Sequence, residues 1–153
     1  MTGEGGMATW TNDEFPVLTA DKYNKTSEPT FDYNCVAWAL GRTDINLGPP
    51  GFGYGWPLDC PSAKIDNFVE FFKYHGFKVS PKGEFETDKE KIVIFSNEGW
   101  FTHVAKLVKS GRWTSKLGDE MDCEHDLLAV EGPLYGSPDT YMERAIPSTP
   151  GSV

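Results

Sequence analysis

The stretch "THVAKLVKSGRWTSKLG", residues 102–118, reads as two short strands folded back on each other, and its register decides the sheet. Lys109, Ser110 and Gly111 form a three-residue loop with Gly111 in the left-handed position, so that paired residues sum to 220. Leu107 then faces Trp113, Ala105 faces Ser115, and His103 faces Leu117. Ala105, Leu107, Trp113 and Leu117 gather on one apolar face, whereas a two-residue loop would turn Ser115 to the other side. In the favoured register His103 and Ser115 are diagonal neighbours within hydrogen-bonding reach.

Upstream, "KIVIFS" (91–96) is a buried strand by its β-branched content, and "GFKVS" is a shorter one. The clearest helix follows Pro61, with Ser62 as its cap, Ile65, Phe68, Val69 and Phe72 on one face, and Gly76 at its end beside His75. A shorter helix begins at Tyr33 or Asn34, where Val36, Ala37 and Leu40 are apolar and Gly41 is a natural stop. "DCEHDLLAVEG" reads as a further short helix capped by Asp122 and closed by Gly132. Helices first and an antiparallel sheet afterwards make an α+β domain. Its expected limits are 31–146, preceded by an extended arm, 1–30, packed by Trp10, Phe15 and Leu18, and followed by a flexible tail, 147–153.

Composition narrows the function. A net charge of -9 over 153 residues opposes phosphate backbones and anionic headgroups, so neither a nucleic-acid nor a membrane partner is expected. Lys106, Lys109, Arg112 and Lys116 cluster near the hairpin, a common feature of solvated strand faces. The N-terminus has no basic and apolar leader, and no run approaches the ~18 apolar residues of a membrane span. Three cysteines, Cys35, Cys60 and Cys123, are too few for a disulfide framework. A cytoplasmic location, or export without a cleavable signal peptide, is expected. Cys123 and His125 with Cys35, Cys60 or His103 would be a metal set, but no paired CxxC or HxxxH spacing supports it, and neither metal nor other cofactor is expected.

Cys35 lies in the first turn of its helix, where the dipole and free backbone N–H groups stabilise a thiolate and a developing oxyanion. His103 is the natural base for such a thiol. The competing reading is an inert, buried cysteine. "YNC" opening a helix, then "KIVIFS", then "THVAKLVKSGRW", resembles the papain-like peptidases and amidases of the NlpC type and their CHAP relatives. The resemblance covers about residues 31–42 and 91–117. "NCVAWALG", "GRWTSKLG" and "EGPLYG" look closer to a small, uncharacterised bacterial domain family. The first resemblance implies a papain-like fold, Cys35 as nucleophile, His103 as base, and a peptide or protein amide as substrate for a peptidase, amidase or deamidase. The ring-orienting third residue falls at Ser115, with Asp122, Glu124 or His125 as substitutes, and Val36-Ala37-Trp38 stands where that family has small residues.

The long Gly/Pro/aromatic loop 46–61 suggests a second function. Asn34, Tyr54, Trp56 and Trp100 would contact a substrate, and Tyr54, Trp56, Phe52, Trp100 and Phe101 would line the groove of a binding module. In a non-catalytic module on the same fold, the aromatic loop 52–56 would bind a peptide or protein instead.

Overall fold

The computed structural model describes residues 23–25, 30, 32–49, 53–58, 62–81, 83–116, 122–132 and 135–146. Trp10, Phe15, Leu18, Phe52, Cys60, Leu117 and the tail 147–153 lie outside them.

Among the described residues the elements follow in order: β1 (Tyr23–Lys25), α1 (Cys35–Ala39), α2 (Ile65–Tyr74), β2 (Lys78–Ser80), β3 (Lys89–Asn97), β4 (Trp100–Leu107), β5 (Trp113–Lys116), β6 (Asp122–His125), a 3₁₀ turn (Leu127–Val130) and β7 (Ser137–Ala145). The strands form one antiparallel sheet in the order β1-β6-β5-β4-β3-β7-β2. The architecture is α+β.

The β4–β5 hairpin takes the expected register: Leu107 pairs with Trp113 and Lys106 with Thr114. The Val108 N–H donates to the Arg112 carbonyl (2.8 Å), and Gly111 has φ 86°, the left-handed conformation that this loop demands. The apolar stripe of α2 buries Phe68, Phe71 and Phe72, with Ile65 and Val69 partly buried beside them. Its N-cap is Lys64 rather than Ser62, whose hydroxyl instead accepts from the Lys64 N–H (3.0 Å).

Residues 122–125 are a strand, because β6 inserts between β5 and β1, and only a 3₁₀ turn remains of the expected helix. Within the extended arm, β1 supplies the strand beyond β6. The long strand β7, which sequence reasoning did not assign, lies between β3 and β2.

Both faces of the sheet are covered, because alternate residues of the central strands enter two cores. Ile92, Ile94, Val104 and Met142 point to the side of α1 and α2, where they pack with Val36, Phe68 and Phe72. Val93, Phe95, Ala105, Leu107 and Trp113 point the other way, into a core closed by Cys123, Val130 and Tyr135. On that second side Lys91, only 1% exposed, meets Glu86 (2.5 Å) and Glu143 (3.6 Å), and Glu143 also accepts from Lys89 (2.9 Å). This ion cluster ties the segment before β3 to β7.

Candidate functional site

Local sequence places Cys35 at a helix start. The Asn34 side chain caps α1 by accepting from the Ala37 N–H (3.0 Å), so Cys35 is its first residue. Asn34 also joins α1 to the following loop: its Oδ1 accepts from the Leu47 N–H (3.1 Å) and its Nδ2 donates to the Leu47 carbonyl (2.8 Å). These bonds occupy both ends of the amide, so Asn34 clips α1 to the loop at Leu47.

The thiol of Cys35 is buried in the helix-side core. Burial pushes it up to about 11, although the backbone N–H groups of Val104 and Val36 and the Lys116 ammonium pull the other way. At neutral pH the sulfur is therefore a thiol. Lys116 is buried on this same side, donating to the Thr30 carbonyl (2.8 Å) above the Tyr33 ring, and Thr114 accepts from Trp38 of α1.

His103, one residue before Val104, points to the opposite side of the sheet. Its ring stacks on Tyr135 (centroids 4.0 Å apart) and leans on Phe95, both in the second core. There His103 Nε2 lies 2.8 Å from Ser115 Oγ, the neighbour expected from the hairpin register. Ser115 Oγ lies 2.6 Å from His125 Nε2, and His125 Nδ1 lies 2.7 Å from the Asp126 carbonyl. All three side chains are fully buried.

The proton order in this chain follows from the donors available. A carbonyl only accepts, so His125 carries its proton on Nδ1. Burial, the largest influence, holds the His125 imidazole down to about 4, so its Nε2 is bare and accepts the Ser115 hydroxyl proton. Ser115 Oγ then accepts from His103 Nε2–H. His103 is also held well below its ordinary value, first by burial and then by His125. Among the described residues its remaining nitrogen, Nδ1, has no hydrogen-bond partner.

The structure therefore unites His103, Ser115 and His125 but does not bring Cys35 to them. A base for Cys35 must present a bare nitrogen to the sulfur. His103 spends Nε2 on Ser115, and among the described residues no thiol hydrogen-bonds its Nδ1. Of the alternatives for the third position, His125 joins the network through Ser115, whereas Glu124 faces Arg112 (3.5 Å). The side chain of Asp122 lies outside the described residues.

The aromatic residues divide in two. Trp56 stacks on Phe71 (4.4 Å) and tilts against Phe68, and Phe101 is buried on Phe68 (3.7 Å), so both pack against α2. Tyr54 (73% exposed) and Trp100 (50% exposed) face solvent. Trp100 is nevertheless held firmly. On either side of it Ile65 N–H donates to the Gly99 carbonyl (3.0 Å) and Phe101 N–H to the Ala63 carbonyl (2.9 Å), with the Lys64 ammonium over its ring. Among the described residues no group of three His, Cys, Asp or Glu side chains is placed to hold a metal ion.

The fold and these placements define a small α+β domain with two cores and a buried histidine–serine–histidine chain. It belongs to a family described as a domain of unknown function, DUF7689, whose model matches residues 24–143, from β1 into β7. No curated protein and no solved structure matches the chain.

Proposed function

We propose that this domain is a non-catalytic module that binds a peptide or protein segment through Trp100 and Tyr54. The observation that carries the reading is the presentation of Trp100, half exposed, between Gly99 and Phe101, whose backbone groups hydrogen-bond Ile65 and Ala63, and with the Lys64 ammonium over its ring. A large aromatic surface ordered in advance contributes to binding with little further loss of side-chain entropy. The order of elements, with a cysteine opening a helix and a histidine on a later hairpin, fits a variant of the papain-like plan. In this variant the two positions serve separate cores, as the protonated Cys35 thiol and the occupied His103 Nε2 favour.

Panning a random-peptide phage library against the folded domain tests the proposal. Clones should be recovered that lose at least about thirtyfold in affinity with Trp100→Ala, the effect of removing an aromatic anchor. A smaller loss is expected with Tyr54→Ala. Recovery of no clone dependent on either residue would refute the reading.

A further inference from the structure

Glu98 and Gly99 form the two-residue turn between β3 and β4, with Asn97 paired to Trp100 on either side. Their φ values, 52° and 85°, are both positive, as a type I′ hairpin turn requires. Asn, Asp or Gly satisfies that geometry at little cost, whereas glutamate in the left-handed region is disfavoured. Glu98 is the only non-glycine residue with positive φ among those described. Backbone strain at an exposed turn beside a fixed aromatic is characteristic of positions kept for contact rather than stability.

We propose that the turn Glu98–Gly99–Trp100 docks a basic segment of a partner protein. This rests on the binding-module reading above and names the chemistry of the partner. Glu98 and Asp66, in the first turn of α2, are both exposed, and the whole chain carries -9, so the long-range field favours a cationic partner. The Trp100 ring already has a cation over it, the exposed Lys64 ammonium, 5.8 Å from the centroid. An arginine or lysine of the partner would displace the exposed Lys64 ammonium from that contact while pairing with Glu98.

The phage clones that depend on Trp100 supply the test, with each clone measured against wild type, Glu98→Gln and Glu98→Asn. The clones should be enriched in Arg and Lys and weaken as salt rises. Either substitution should reduce their affinity by about two- to fivefold, the worth of one rim charge pair. Glu98→Asn should at the same time raise Tm by about 2–5 °C, because asparagine suits the turn, whereas Glu98→Gln should not. Trp100-dependent clones without basic enrichment, or indifferent to both Glu98 substitutions, would overturn this inference and leave the module reading standing. Failure to recover Trp100-dependent clones would overturn both.

Discussion

Lowering the pH from 7 to 5 should destabilise the domain through His125. In the folded chain burial holds this imidazole down to about 4, against 6.5 without the fold. The unfolded chain therefore binds the extra proton first, and stability falls as pH drops below 6.5 toward 4. A separation of this size lowers the unfolding free energy by about 2 kcal/mol between pH 7 and 5, and by about 3 kcal/mol once both states are protonated. His103, depressed by burial and by His125, adds in the same direction. His75 does so too, held down by partial burial and Arg144. Urea unfolding at closely spaced pH values measures the effect, with His75→Gln as background to isolate the buried pair. Carboxylates contribute little above pH 5, so the slope in this window reports histidines. His125→Gln should flatten it by close to one proton. Stability indifferent to pH between 7 and 5, or a slope unchanged in His125→Gln, would refute the buried neutral chain.

Other perturbations separate the parts of the structure. Ser115→Ala leaves His103 Nε2–H without its acceptor and His125 Nε2 without its donor, and should cost about 2–4 kcal/mol in urea unfolding. Asn34→Ala removes the α1 cap and both clips to Leu47, a loss of about 1–2 kcal/mol, with amide exchange accelerating first at Ala37 and Leu47. Glu143→Gln deprives the buried Lys91 and the Lys89 ammonium of a carboxylate and should lower stability near neutral pH, read as a lower urea midpoint. The Glu143 carboxyl is held down to about 2 chiefly by Lys89, so the gap between wild type and variant should persist through pH 5 and narrow in stronger acid.

Much of this arrangement is legible in residue order. The period of Ile65, Phe68 and Phe72 fixes α2, and the Lys109–Gly111 loop fixes the hairpin register and, with it, the His103–Ser115 contact. The side of the sheet on which α1 docks is not legible. Strand alternation separates His103 from Val104, but β3 is apolar on both faces, so its residues could serve either core. The helix settles on the Val104 side, and that choice parts Cys35 from His103. β6 is hidden because "DCEHD" is polar in composition, and only the inward pair Cys123 and His125 marks it as a strand. β7 is hidden by Pro138 and by charged residues, several of which pair with neighbours: Glu143 with Lys89, and Arg144 with Glu90 (3.1 Å).

The central claim is that Cys35 is a protonated core thiol without an imidazole partner. Its most direct test is the rate of iodoacetamide alkylation at Cys35 in the folded wild-type domain across pH 5 to 10, read residue by residue by mass spectrometry. Slow modification that rises only at the alkaline end, without an inflection below the ordinary thiol value of ~8.5, is the expected result. Rapid modification at neutral or mildly acidic pH, titrating well below that value, would contradict it and place a base beside the sulfur.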